Sequence, residues 1–115
     1  MTIEPDLTDL IAQLDHFVAE RNWAQFHSAK NLVMALTAEV GELTEHFMWT
    51  DGEHSDDLSA DERAAVAAEI ADVFIYLVHL SRRLGIDVVD AALHKVDAAA
   101  RKYPVHSTRV PDDLP

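Results

Sequence analysis

Apolar residues fall into four stretches of helical spacing separated by polar connectors. Leu7, Leu10, Ile11, Leu14, Phe17 and Val18 recur at intervals of three and four, which predicts a first amphipathic helix ending near Glu20. Pro5 closes the lead-in before it, and Asp6 or Thr8 is available as its N-cap. The run Arg21-Asn-Trp-Ala-Gln-Phe-His27 breaks the period and reads as a connector. Ser28 is the expected cap of a second helix over roughly 29–48, with Leu32, Leu36, Val40, Leu43 and Phe47 on its core side. A polar, acidic loop at 50–57 then leads to Ser59-Ala-Asp-Glu62, the pattern of a capping box, at the head of a third helix over 60–84. Gly85 is placed to stop that helix. Asp87 is placed to cap a shorter fourth helix to about Arg101, with Val88, Ala91, Ala92, Val96 and Ala99 as a small-residue face.

Four helices with short links predict an all-α protein, a four-helix bundle in one domain over 1–103 with an extended tail over 104–115. The third helix stands out. From Ile70 to Leu80 its only polar residues are Asp72, Tyr76 and His79. A helix apolar on nearly every side is expected to be buried, and Asp72 with it. It is covered either by its own bundle or, in part, by another subunit.

Composition sharpens this picture. The chain has 115 residues, enough for one core, and 49% of them are hydrophobic. Gly (3) and Pro (4) are scarce, which favours helix throughout. The formal net charge is -12. Such a surface repels phosphate backbones and anionic lipid heads, so neither a nucleic-acid nor a membrane partner is expected. No signal-peptide pattern opens the chain and no apolar run reads as long enough to cross a bilayer, so a cytoplasmic protein is expected. With no Cys there is no thiolate nucleophile and no Cys-ligated zinc.

The candidate chemistry lies in two carboxylate pairs, Glu39 with Glu42 and Glu69 with Asp72. Residues three apart on a helix share a face, so each pair offers two oxygen-bearing side chains pointing one way. On a solvated face such a pair means little, but Asp72 among apolar neighbours calls for a compensating partner. Oxygen-only ligands suit Mg²⁺, with Mn²⁺ as a substitute, rather than zinc. A di-iron bundle would need Glu-x-x-His on two helices, and none of the seven His residues follows a Glu at that spacing. Trp23 and Trp49 lie just outside the two ends of the second helix, while His27, Lys30 and Asn31 sit near its N-terminus, where a phosphate is favoured. His16, His54, His79 and His94 have no partner pattern and read as ordinary helix or loop residues. Lys95, Arg101, Lys102 and Tyr103 make a basic patch in an acidic protein, part of it the usual preference of cations for a helix C-terminus.

Taken together, Phe17-Val-Ala-Glu-Arg-Asn-Trp-Ala-Gln-Phe-His27, Lys30-Asn-Leu32, Glu39-Val-Gly-Glu-Leu43, Phe47-Met-Trp49, Glu69-Ile-Ala-Asp-Val73 and Lys102-Tyr-Pro104 resemble the all-α nucleoside triphosphate pyrophosphohydrolases. The resemblance is to small MazG-like members of the dCTP-pyrophosphatase type, and it runs over about residues 10–106. It implies Mg²⁺-dependent hydrolysis of a nucleoside triphosphate, dCTP or a related pyrimidine, to the monophosphate and pyrophosphate. It also implies a house-cleaning role and a homodimer or homotetramer. By the same resemblance Glu39, Glu42, Glu69 and Asp72 would be metal ligands. For such a reaction Glu42 or Glu45 is the candidate to take a proton from the attacking water. Trp23, His27 and Trp49 would match the base pocket, with Lys30, Asn31, Lys95 and Tyr103 near base, sugar or phosphates. Three positions depart from the pattern: Ala38 stands where many relatives have Glu, Ala29 where Pro is frequent, and Ala99 where Asn is frequent. Two other readings remain at this point, a non-catalytic helical partner-binding module and a phosphohydrolase acting on another pyrophosphate ester.

Overall fold

The computed structural model describes residues 6–105; the expected tail over 104–115 falls almost wholly outside them. Four α-helices, α1 (Leu7–Glu20), α2 (Ala29–Glu45), α3 (Ala60–Arg83) and α4 (Val88–Lys102), follow one another, with a 3₁₀ turn over Trp23–Phe26 between the first two. There is no strand among the described residues.

The helix starts follow the capping residues. Asp6 accepts from the Asp9 N–H at 3.0 Å, and the Asp9 side chain accepts in return from the Asp6 N–H at 3.3 Å, a reciprocal box at α1. At α3 the Ser59 Oγ accepts from the Glu62 N–H at 3.2 Å, the first half of the box expected there. Ser28 caps α2 and Asp87 caps α4 in the same way. α2 ends three residues earlier than its hydrophobic period suggests. The Thr44 carbonyl accepts from both the Phe47 and Met48 N–H groups at 3.0 Å, which tightens the chain into a turn and leaves Phe47 outside the helix. α3 ends in a Schellman motif: the Ile86 N–H reaches the Ser81 carbonyl at 2.8 Å and the Gly85 N–H reaches that of Arg82 at 3.2 Å, with Gly85 at φ 67°.

α2 and α3 pack along their length, and the buried side chains, Leu32, Val66 and Val78, lie on these two helices. α1 is tied to α3 by Arg82, which donates to Asp15 at 2.6 Å, and the first connector by Arg83, which donates to the Ala24 carbonyl at 3.5 Å. α4 packs only slightly against the rest, and its Val89, Leu93 and Val96 are exposed. The four expected helices are therefore present, but one chain alone does not close them into a bundle. The radius of gyration, 17.5 Å, exceeds the roughly 13 Å of a compact chain this long.

Two sequence expectations about α3 change here. By length and composition α3 is apolar enough to cross a bilayer, contrary to the reading that no run is. Glu69 and Asp72 in its middle make lipid a costly surrounding. And Asp72 is exposed rather than buried, because it opens onto the cup beside the α2–α3 seam; on the opposite stripe of α3, Ile70, Phe74 and Leu77 are exposed as well.

Gly85 gives the first prediction. A side chain in the left-handed region costs about 1–2 kcal/mol, so Gly85→Ala should lower the thermal midpoint by several degrees with helicity unchanged. An unchanged midpoint in a circular-dichroism melt would show that the α3–α4 turn does not depend on that conformation.

Candidate functional site

The α2–α3 seam brings the two carboxylate pairs together. Oxygens of Glu39, Glu69 and Asp72 lie within 4.8 Å of one another. Glu42 adjoins Glu39 and Glu69 closely enough to hydrogen-bond either carboxyl when one of them is protonated. The Oε2 atoms of Glu39 and Glu69 are buried and have no hydrogen-bond partner. Burial pushes the Glu39 carboxyl above its ordinary value, and the charges of Glu42, Asp72 and Glu69 push it further. Burial does the same to Glu69, aided by Glu42 and Asp72 and opposed by the nearby imidazole of His46. Like charges crowded this closely, with acceptor atoms left unpaired, fit a hard cation with oxygen ligands. Glu45, exposed in the last turn of α2, is not among the charges that dominate at Glu39 and Glu69.

Next to the cluster is a cup of about 280 Å³ lined by Leu14, Phe17, Trp23, His27, Asp72, Ile75, Tyr76 and His79. Asp72 belongs to both cup and carboxylate cluster, so the two form one continuous site. The connector that broke the helical period builds one wall. Asn22 takes a left-handed φ of 53°, which turns the chain into the 3₁₀ turn carrying Trp23. The indole meets Phe17 edge-on with centroids 5.4 Å apart, and the Arg21 guanidinium lies 3.6 Å over the other ring's centroid. His27 faces His79 with ring centroids 5.0 Å apart. Burial, and the charge of His27, hold the His79 imidazole below its ordinary value, with Asp15 opposing.

The predicted site residues thus divide. Glu39, Glu42, Glu69, Asp72, Trp23 and His27 come together. Asn31 does not supply a free amide: its Nδ2 donates to the Phe26 carbonyl at 3.0 Å and fastens the connector to α2. Lys30, Lys95, Ala99 and Tyr103 do not line the cup, and Trp49 stands 90% exposed outside it. His79, read from sequence as an ordinary helix residue, is part of the cup. Its signal was the row Glu69, Asp72, Tyr76 and His79, at helical spacing on one face of α3. His46 beside Glu69 was also missed; it is four residues beyond Glu42.

A helix pair with a carboxylate cluster on its seam and an aromatic cup alongside defines a class of helical sites able to hold a metal ion. The chain belongs to the MazG-like family, whose model matches residues 34–110. It is 48% identical over 108 residues to dCTP pyrophosphatase 1 of Homo sapiens and 45% identical over 108 residues to that of Bos taurus, matching over 92% of this chain and 64% of each relative. It therefore spans a little under two thirds of the length of these curated relatives. A crystal structure of a pyrophosphatase from Archaeoglobus fulgidus superposes with a TM-score of 0.81 at 32% identity, covering 90% of this chain and 97% of that one. The family resemblance read from the motifs is thereby borne out.

The raised carboxyls give a prediction with a definite sign. A folded-state value above the unfolded one contributes stability that is complete below the unfolded value and is lost as pH rises through the folded one. Without metal, Glu39 and Glu69 should therefore cost the protein stability as pH rises above the ordinary carboxylate range. Glu39→Gln and Glu69→Gln should each raise the metal-free thermal midpoint at pH 7, since each removes one repelling charge. Comparison with the variants separates this pair from His79, whose lowered value gives the opposite slope. A midpoint at pH 7 that falls in both variants would show that the cluster is not strained.

Proposed function

We propose that this chain hydrolyses a nucleoside triphosphate to the monophosphate and pyrophosphate, with dCTP as its preferred substrate. The observation that carries this reading is the continuity of the site: a carboxylate cluster with two unpaired buried oxygens opens into an apolar cup sized for a single base. The names of the curated relatives support the reaction and the base. Solvated carboxylates on an inert partner-binding helix would not leave buried oxygens unpaired, which weighs against a non-catalytic module.

Glu39, Glu69 and Asp72, with Glu42 beside them, are the residues to hold Mg²⁺, or Mn²⁺ in its place. A divalent ion there supplies neutralisation of the triphosphate, polarisation of the phosphorus and a lowered pKa for the attacking water. The chain's own groups do the rest. Trp23 provides a flat surface for the base, with Phe17 set edge-on beside it, and stacking of this kind is worth roughly 1–3 kcal/mol per base. Water attacks the α-phosphorus, the α–β bridging P–O bond breaks, and pyrophosphate leaves. A Glu42 carboxylate oxygen takes the proton lost by the water; Glu45, set apart from the cluster, is the less suitable of the two candidates. Lys30, Lys95 and Tyr103 are assigned to the phosphates or sugar only through the family resemblance, and Trp49 to the base in the same way.

The working unit is proposed to be a homodimer or homotetramer. Val40, Leu43, Phe47, Met48, Val66 and Ile70 line an open apolar groove on the flank of α2 and α3. The carboxylates of α3 exclude lipid as its cover, and a second copy of the chain supplies an apolar one. A cytoplasmic location, with its nucleotide pool, and no nucleic-acid or membrane partner, completes the reading.

A panel of nucleoside triphosphates with Mg²⁺, scored for pyrophosphate and monophosphate, tests the activity. dCTP should be the best substrate, and Glu39→Ala, Glu69→Ala and Asp72→Ala should each lower turnover by about a hundredfold or more, the scale of losing electrostatic stabilisation at a reacting phosphate. Full turnover in Asp72→Ala, or release of inorganic phosphate alone, would reject the site or the reaction. Light scattering at micromolar concentration should give a multiple of the 12.8 kDa chain mass. A monomer that retains activity would remove the second copy.

A further inference from the structure

Apolar walls do not tell one base from another. Leu14, Phe17, Trp23 and Ile75 hold a flat ring by stacking and contact, which every base satisfies. Discrimination needs polar atoms at the edge of the ring, left unpaired when the wrong base enters. Few such atoms are available here. The Asn31 amide is committed to the Phe26 carbonyl, position 99 is alanine and outside the cup, and Asp72 is shared with the carboxylate cluster. Tyr76, one turn beyond Asp72, lies between the cluster and His79, its ring 6.3 Å from the imidazole. The Tyr76 hydroxyl and the imidazoles of His27 and His79 remain, and of the α3 pair His79 lies farther from the cluster. His79 lies seven positions beyond Asp72 on α3, about 10 Å at the helical rise. That is the scale separating the phosphate of a nucleotide from the far edge of its base.

We propose that His79 is a specificity-determining residue, whose imidazole offers a hydrogen-bonding edge to the base held in the cup beside His27. The proposal rests on the nucleotide reading above and adds the residue that selects the base. Its support is geometric: His79 lines the cup, its ring meets His27 at 5.0 Å and Tyr76 at 6.3 Å, and it is half-buried on the same helical face as Glu69 and Asp72. The other charged groups around it are Asp15 on α1 and Arg82 and Arg83 on α3, which line the opposite side of the two imidazoles. Arg82 pairs with Asp15 and Arg83 reaches the Ala24 carbonyl, so these arginines are engaged away from the cup. A neutral imidazole carries one N–H donor and one bare acceptor nitrogen. Cytosine and uracil exchange donor for acceptor at C4 and N3, so a ring with a fixed tautomer distinguishes them.

The test compares dCTP with dUTP, which differ on that edge. His79→Phe keeps a flat ring and removes both nitrogens; His79→Gln keeps a donor and an acceptor. The ratio of kcat/KM for the two substrates should move toward unity by about tenfold or more in His79→Phe, and by clearly less in His79→Gln. An unmoved ratio in a folded His79→Phe protein overturns the assignment. If His79→Phe does not fold, the ring signals of His79 in the wild-type protein decide. They should shift on adding deoxycytidine monophosphate, and their failure to do so while the indole signal of Trp23 shifts overturns it equally. A wild-type protein that cleaves none of the triphosphates rejects the nucleotide reading itself, and is thereby distinct from an active protein whose ratio ignores His79.

Discussion

Everything else in this chain depends on the packing of α2 against α3, because the same seam is both core and site. Leu32, Val66 and Val78 are buried on these two helices. Each contributes roughly 1.5–3 kcal/mol. Against that contribution the seam holds Glu39, Glu42, Glu69 and Asp72, and burial together with their mutual repulsion raises the Glu39 and Glu69 carboxyls. A sequence selected only for stability would not place unpaired carboxylate oxygens beside its small core. Local destabilisation at a functional site, compensated by packing elsewhere, accounts for the arrangement.

Compensation within one chain is limited. α1 and α4 add little packing, and α3 leaves Ile70, Phe74 and Leu77 exposed along one stripe. A second stripe of the same helix carries Glu69, Asp72, Tyr76 and His79. α3 therefore has to serve two surfaces of opposite character. Its apolar stripe calls for a protein cover, and its acidic stripe requires that water and ions reach the seam. Lipid meets the first demand and violates the second, whereas the proposed second copy of the chain would meet both.

Most of the fold was legible because helix starts and stops are local. Ser28, Ser59, Asp87 and Gly85 act through bonds to residues three or four positions away, and the sequence places them where the helices begin and end. The carboxylate cluster was legible for a related reason: spacing of three sets each pair on one face, and only one seam is available for two such faces to share. What was less legible depended on surroundings. The exposure of Asp72 follows from what does not cover α3, which no spacing in α3 encodes. The early end of α2 follows from a turn closed at the Thr44 carbonyl, although Phe47 continues the apolar period. His79 escaped because its place in the row Glu69, Asp72, Tyr76 and His79 gains meaning only when the connector brings His27 against it.

That connector is the less regular half of the site and determines its shape. The left-handed Asn22 reverses the chain, Gln25 donates back to the Asn22 carbonyl at 3.0 Å, and Asn31 holds the Phe26 carbonyl from α2. Trp23 and His27 are thereby carried on a turn fixed at both ends, while the residues they face sit on a rigid helix. A loop anchored in this way can vary its side chains without disturbing the seam. The division of labour follows from that mechanics: α2 and α3 fix where charge is concentrated, and on the proposed nucleotide reading the turn would fix which flat ring fits beside it. A change in the turn should therefore alter which ring the cup admits before it alters the carboxylates, because its ties to α2 and α3 run through backbone carbonyls rather than through the cluster itself.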